Sequence, residues 1–395
     1  MDVATFQWLQ TDDGRALLTR ASEAVADTPA GGELAMQTRL REHADADRVA
    51  AALSLVELRA RAVEKFGDLA ASMFFTRDGL EQATRLSVSQ HRAARFTAAQ
   101  VSTVLDLGCG IGGDLIAFAA AGLTAAGVDL DELRVEMARA NLAAAGVGGA
   151  VMVADATTID HSPFDAVFAD PARRSARGRT FDVDDWTPPW SFVSGLLERD
   201  ACVKVAPGIP HSLIPHGVEG EWVSVNGEVK EAALWSGRLA TTDRRATVIG
   251  SGGLATLTDE DTPPPGAGGS GVREVGAFLY EPDGAVIRAG LVTAVAAGVD
   301  GGLLDEQIAY VTSDSSFHTP FARSYRVVEE LPYREKQLKA ALRERNIGTL
   351  TIKKRGVRVE PDALRKRLGL TGSEEATIVL TRVADRGAAY LVAPF

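Results

Sequence analysis

The chain has little cysteine. Two residues in 395, Cys109 and Cys202, cannot build a disulfide framework or a zinc site by themselves. Both read as small packing residues, because free cysteine is commonly buried. Histidine is scarce as well, six in all; His161 and His211 show no ligand spacing, and no metal is expected. Positive charge is short: 42 Lys and Arg face 53 Asp and Glu, a net charge of −11. That argues against non-specific nucleic-acid binding by the whole surface, but leaves room for a local basic patch. Long apolar runs are missing. The longest, Ala289–Val299, is too short to span a bilayer, and Met1–Gly14 has neither the basic region nor the apolar core of a signal peptide. A cytoplasmic protein without a membrane partner is the expectation. The length predicts two or three domains, and 46% apolar with 24% charged residues is ordinary for a globular chain.

The informative stretch is Val104–Leu115. A short apolar run (Val104, Leu105, Leu107) carries an acid, Asp106, and is followed by four glycines in six residues: Gly108, Gly110, Gly112 and Gly113. An apolar segment with Leu115, Ile116 and Phe118 comes next. This pattern predicts strand, tight turn and helix. The missing Cβ atoms allow a sharp bend and close approach of a ligand to the backbone, and the helix start presents unpaired N–H groups. Gly108, Gly110 and Gly113 also satisfy the weak dinucleotide pattern G-x-G-x-x-G.

Four further features decide between the cofactor classes. Asp106 stands where a carboxylate can face a cationic amino-acid group and would repel a pyrophosphate. A second strand, Ala125–Val128, ends in Asp129, which can accept both hydroxyls of a ribose. A third, Ala150–Val153, ends in Asp155-Ala156, suited to an adenine amino group. A fourth, Ala166–Ala169, ends in Asp170-Pro171-Ala172-Arg173. Acids thus recur at the carboxyl edge, where open α/β sheets bind ligands.

This series resembles the class I S-adenosylmethionine-dependent methyltransferases over roughly residues 70–250. The resemblance implies a doubly wound Rossmann-like sheet, with S-adenosylmethionine as cofactor. It assigns the cofactor loop to Asp106, Gly108, Cys109, Gly110 and Gly112, the ribose to Asp129 with Leu130 beside it, and adenine to Asp155 and Ala156. Asp170 and Pro171 fall on the acceptor side. Met73–Gln82 is similar in position to a segment that folds over the cofactor in trimethylguanosine-synthase-like enzymes. Thr76 there is a candidate cofactor contact as well as a helix cap.

Around that domain, residues 1–97 read as a helical lobe. Asp45 or Asp47 caps a helix with apolar positions Val49, Leu53, Val56, Ala60 and Val63, and a further helix is expected over Glu81–Arg95. The methyltransferase domain is placed at 98–257, with helices near Asp114–Ala121 and Leu130–Ala145. A β-hairpin is expected about Asn226-Gly227, and a strand at Arg245–Ile249. Residues 258–272, rich in Pro, Gly and acids, read as a loop or linker. A connecting α/β segment follows at 273–324, with a strand at Val275–Tyr280 and a helix at Ala285–Ala297 interrupted by Gly290.

Residues 325–395 read as a small α+β domain of opposite charge. Arg323–Arg367 holds fourteen Lys and Arg against six acids. Helices are expected at Gln337–Arg345 and Pro361–Leu368, a strand at Leu350–Ile352, a basic turn at Lys353–Gly356, and closing strands at Ala376–Arg382 and Ala388–Val392. On Ile347–Gly356 and Arg365–Gly369 this region resembles the THUMP-like domain of a family of bacterial methyltransferases. That implies RNA, rRNA or tRNA, as a partner met through Lys353, Lys354 and Arg355.

The acceptor loop departs from the Asn/Asp-Pro-Pro-aromatic motif of amino-nucleobase methyltransferases, having Ala172-Arg173 after Asp170-Pro171. It is equally similar to the Asp-Pro-Pro-Arg variant of pyrimidine-carbon methyltransferases, which needs a catalytic cysteine that neither Cys109 nor Cys202 supplies. A nitrogen or oxygen acceptor is therefore expected. Arg173, Arg174, Trp186 and Trp190 suit a phosphate-plus-stacking site for a base, and Lys204 can pair with Asp170 or with substrate. Two other functions stay open: methylation of a small molecule or protein, and RNA binding without catalysis.

Overall fold

A computed structural model of the chain describes residues 1–29, 31–173, 186–187, 189–264, 271–383 and 385–395, with only the backbone described at 172, 173, 186 and 187. It divides into two compact units, Met1–Val205 with Leu234–Ala240, and Ala206–Ala233 with Thr241–Phe395.

Unit 1 begins with six helices: α1 Val3–Leu9, α2 Asp12–Asp27, α3 Glu33–Leu40, α4 Ala46–Phe66, α5 Arg77–Gln82 and α6 Leu86–Ala98. Asp2, Thr11, Asp45 and Thr76 each accept a backbone N–H as N-caps of α1, α2, α4 and α5. The buried face of α4 is Val49, Ala52, Leu55, Leu58, Ala62 and Phe66. Val63, expected inside, is exposed, because the buried stripe is carried by a different set of three- and four-residue steps. The single helix expected over Glu81–Arg95 is also broken. Lys65 Nζ on α4 donates to the carbonyls of Leu80, Glu81 and Ala83 at 2.7, 2.8 and 2.8 Å. Those acceptors close α5, and α6 starts afresh at Leu86.

The sheet of unit 1 follows the expected alternation. In chain order it runs β1 Thr103–Leu107, α7 Gly113–Ala120, β2 Thr124–Asp129, α8 Glu132–Ala144, β3 Ala150–Val153 and β4 Ala166–Ala169. A ribbon of β5 Ala172–Arg173 and β6 Trp186–Thr187 comes next, then α9 Trp190–Leu196 and β7 Ala201–Val205. The long strands lie in the order β7-β4-β1-β2-β3, and each of these pairs is parallel. The chain moves outward from β1 through β2 to β3, then returns to the other side of β1 as β4. The order reverses between β1 and β4, which is where open α/β sheets place a ligand crevice.

Unit 2 holds β8 Glu219–Val225 and β9 Glu228–Ser236, whose residues from Leu234 belong to unit 1. Asn226 and Gly227 between them have φ of 52° and 81°, the left-handed pair a two-residue hairpin turn requires. β10 Arg244–Gly250 pairs parallel with β8 and antiparallel with β11 Gly253–Thr258. A second sheet follows: β12 Phe278–Pro282, β13 Gly302–Asp305, β14 Ile308–Ser313, β15 Ala322–Leu331, β16 Ile347–Lys354, β17 Glu374–Val383 and β18 Arg386–Pro394, in the order β13-β14-β12-β15-β18-β17-β16. The helices of unit 2 are α10 Gly284–Ala289, which packs on β8 and β10, α11 Val292–Gly298, α12 Glu335–Glu344 and α13 Pro361–Leu368. Gly290, at φ 72°, separates α10 from α11.

Strands β11, β13, β14 and β15 were not expected from sequence. β16 also runs further than expected. Lys353 and Lys354 pair with Val379 and Leu380 of β17, so they are strand residues, and the basic turn is reduced to Arg355-Gly356.

Candidate cofactor and acceptor site

The glycine turn after β1 is held by backbone bonds. Gly108 N and Cys109 N both donate to Val128 O at 2.9 Å, and Gly110 N donates to Asp129 Oδ2 at 3.0 Å. Gly108, Gly110 and Gly112 have φ of 95°, 54° and 84°, a region L side chains rarely adopt. A Cβ on Gly112 would meet Ala138 Cβ at 3.1 Å, whereas one on Gly110 would meet nothing within 4 Å. The turn is therefore packed on α8 at one end and open at the other.

Asp106 lies beneath this turn, 1% exposed. Its partners across the sheet are Gly127 on β2 and Phe168 on β4, so all three positions share one face. Gly127 has no room for a side chain: a Cβ there would lie 2.7 Å from Leu115 and 2.8 Å from Cys109. Cys109 fills that gap, and burial pushes its thiol far up. Asp106 Oδ1 has no hydrogen-bond partner among the described residues. Burial, then Asp114 and Asp170, raise its carboxyl well above the ordinary range, against the opposing charge of Arg92.

Asp129 ends β2 half-exposed. Its Oδ1 accepts from Asp131 N at 2.9 Å and its Oδ2 from Gly110 N. A carboxylate offers about four lone-pair sites, so acceptor capacity remains toward solvent. Leu130 beside it is 67% exposed. Asp155, past β3, is exposed and closes its own turn through Thr157 N and Oγ1 at 2.9 and 2.7 Å; those bonds lower its carboxyl from the usual range. Ala156 follows it, half-buried.

The segment from Met73 to Thr84 packs on the glycine turn. Thr76 Oγ1 caps α5 by accepting from Gly79 N at 3.0 Å. A Cβ on Gly79 would lie 2.8 Å from Ile111 Cγ2, so α5 rests on the turn. Asn141, fully buried on α8, ties the two together. Its Nδ2 donates to Phe74 O and Ile111 O at 3.0 and 2.9 Å, and its Oδ1 accepts from Phe74 N at 2.7 Å. Sequence reasoning missed Asn141, Lys65 and Arg92. A buried polar residue inside a helix is visible in sequence, but its partners, 67 and 30 residues away, are not.

On the acceptor side, Asp170 Oδ2 takes a bond from Lys204 Nζ at 2.7 Å, and Lys204 also donates to Thr84 Oγ1 at 3.3 Å. Of the two partners open to Lys204, the structure shows Asp170. Pro171 follows, half-buried. Arg173 and Trp186 face each other in the β5–β6 register; their side chains, and all of Arg174, lie outside the described residues. Trp190 opens α9, half-buried.

The cations of β16 and its turn are engaged within the chain. Lys353 pairs with Glu281 at 3.3 Å, Arg355 with the same Glu281 at 3.9 Å, and Lys354 with Glu360 at 2.8 Å. Arg345 pairs with Glu329 at 2.6 Å and Arg367 with Glu335 at 3.0 Å. Arg334, Lys336, Arg358 and Lys366 are exposed and form no ion pair among the described residues.

An open left-handed glycine turn, a buried carboxylate oxygen without a partner, and a half-exposed carboxylate beside an exposed leucine fit an adenosyl amino acid. They could serve as an acceptor for its amine, acceptors for a ribose, and an apolar edge for a purine. Among the described residues no cluster of His, Cys, Asp or Glu could hold a metal, and no helix is long and apolar enough to cross a membrane.

The methyltransferase domain model matches residues 104–175, the THUMP domain-like model residues 322–394, and a domain of unknown function residues 2–62. A crystal structure from Porphyromonas gingivalis, of a protein assigned as a methyltransferase, shares the fold. Its TM-score is 0.73 at 21% identity, over 96% of this chain and 98% of that one. Uncharacterized S-adenosylmethionine-dependent methyltransferases from two strains of Mycobacterium tuberculosis are each 37% identical over 348 residues, covering 85% of this chain and 93% of theirs. The chain belongs to the S-adenosylmethionine-dependent methyltransferases, and carries a THUMP-like domain at its C-terminal end.

Proposed function

We propose that the enzyme methylates a nitrogen or oxygen on a base of RNA, rRNA or tRNA. The observation that carries the RNA reading is the THUMP-like match over 322–394, supported by the exposed cations Arg334, Lys336, Arg358 and Lys366 in that region. In this reading Asp106, Gly108, Cys109, Gly110, Gly112, Asp129, Leu130, Asp155 and Ala156 hold the cofactor, with Thr76 above the turn. The cofactor supplies a methyl group activated on a sulfonium. Asp170, with one oxygen on Lys204, offers the other to an N–H or O–H of the acceptor and aims its lone pair. Pro171 fixes the direction of the loop, while Arg173, Arg174, Trp186 and Trp190 receive the phosphate and the base. Methylation through a cysteine adduct is disfavoured. The Cys109 thiol is buried and far from ionising, and Cys202 is buried in β7.

One observation favours a small-molecule or protein acceptor instead. Lys353, Lys354 and Arg355 are all paired inside the chain, as a scaffold would have them.

Tritiated methyl transfer into RNA from a deletion strain separates the two. Deletion RNA takes up label, wild-type RNA does not, and Asp170→Ala slows uptake by about 10²-fold through lost positioning. Four phosphate contacts predict that RNA affinity falls about 10²-fold between ~50 and ~200 mM salt. Label entering a protein or metabolite fraction but no RNA would overturn the RNA reading.

A further inference from the structure

Arg92 on α6 is a cation in an unusual place. It is 1% exposed and pairs with Asp114 in the first turn of α7. Its guanidinium lies 4.3 Å from the ring centre of Phe168. Phe168 and Asp106 are direct partners across β4 and β1, so Arg92 stacks on the side chain next to Asp106, on the same face of the sheet. Burying a guanidinium costs several kcal/mol unless it is well paired. A packed apolar residue would fill that space more cheaply.

The same face of the sheet carries Asp106. Three carboxylates act on it: Asp114 from α7, Asp170 from the end of β4 and Asp129 from the end of β2. Arg92 is the cation that opposes them. Lys204 lies one step further out, on Asp170.

We propose that Arg92 is a positioning residue for cofactor binding: stacked on Phe168 beside Asp106, it sets a positive charge among the neighbouring acids, so that the buried carboxylate can hold the cationic amino group of S-adenosylmethionine. This rests on the reading that Asp106 faces that amine. The sign of the effect follows. Burial and the three acids favour the protonated form of Asp106, which cannot pair with an ammonium. Affinity therefore falls as pH falls through the Asp106 titration. Removing the Arg92 charge moves that loss to higher pH, and removing the Asp114 charge moves it to lower pH.

Calorimetric titration of the full chain with S-adenosylmethionine is made from about pH 5 to about pH 6.5, where an α-amino group stays protonated. Arg92→Gln is expected to bind about tenfold more weakly than wild type at the acid end, a shift of about one pH unit, with the gap closing as pH rises. Arg92→Lys keeps the wild-type profile. Asp114→Asn breaks the same ion pair, yet holds its affinity to lower pH than wild type. A merely structural pair predicts the same direction for both variants, so equal weakening by Arg92→Gln and Asp114→Asn at every pH overturns the proposal. Should Arg92→Gln fail to fold by circular dichroism, the opposed shift of Asp114→Asn and the unchanged profile of Arg92→Lys decide it. Asp106→Asn tests the underlying reading separately. Wild-type affinity in that variant means that Asp106 does not face the amine at all.

Discussion

Replacing Asp129 with alanine is expected to weaken S-adenosylmethionine binding about a hundredfold or more, with the fold intact. The carboxylate does two jobs. It holds the open end of the glycine turn through Gly110 N and the start of α8's approach through Asp131 N. It also has lone pairs left for a vicinal diol. Hydrogen bonds to a charged group contribute about 1.5–3 kcal/mol each. Losing two ribose contacts therefore costs roughly 3 kcal/mol, about two decades in Kd. The side chain is half-exposed and outside the core, so thermal unfolding should move little. Calorimetry on Asp129→Ala and Asp129→Asn checks this. Asparagine keeps one acceptor oxygen and should fall between. Unchanged affinity in both would remove Asp129 from the site.

Asn141→Leu has the second large effect, and it is structural first. Asn141 is fully buried and satisfies Phe74 N, Phe74 O and Ile111 O. Leucine matches its size but leaves one donor and two acceptors without partners. Each orphaned buried group costs about 1–3 kcal/mol, so the local penalty is roughly 3 kcal/mol or more. The segment from Met73 to Thr84 should then open. Hydrogen exchange at Phe74 N is expected to quicken by about 10²-fold, with weaker cofactor binding alongside. Exchange at the wild-type rate would show that the segment is held by other contacts.

The part of this molecule legible in the sequence is the part built from local pattern. β4 has the bounds that its apolar run predicts, because the strand is buried along its whole length. The glycine turn was legible for the same reason: its left-handed φ values exclude most other residues. What sequence did not reveal depends on distant partners. The break after Gln82 exists because Lys65 takes the carbonyls of that turn. Asn141 and Arg92 look like ordinary helix residues until α5, α6 and α7 are in place around them.

The C-terminal half was harder for a second reason. Exposed and covered residues are mixed along β11 and β15, so the apolar signal of those strands is thin. Its charge was misleading in detail. Lys353 and Arg355 sit on the residues that a basic run marks as phosphate ligands, yet both converge on Glu281, a carboxylate more than seventy residues away in the chain. Lys336 in α12, Lys366 in α13 and Arg358 are exposed and form no ion pair among the described residues. A count of charge alone could not rank them.

Carboxylates at the strand ends are expected to grip one adenosyl ligand. The most direct measurement is a crystal structure of the enzyme with S-adenosylhomocysteine. The account predicts the ribose hydroxyls on Asp129, the purine between Leu130 and Asp155, and the amino group toward Asp106. A ligand seated away from the turn at Gly108–Gly112, with those acids facing only solvent, would contradict it.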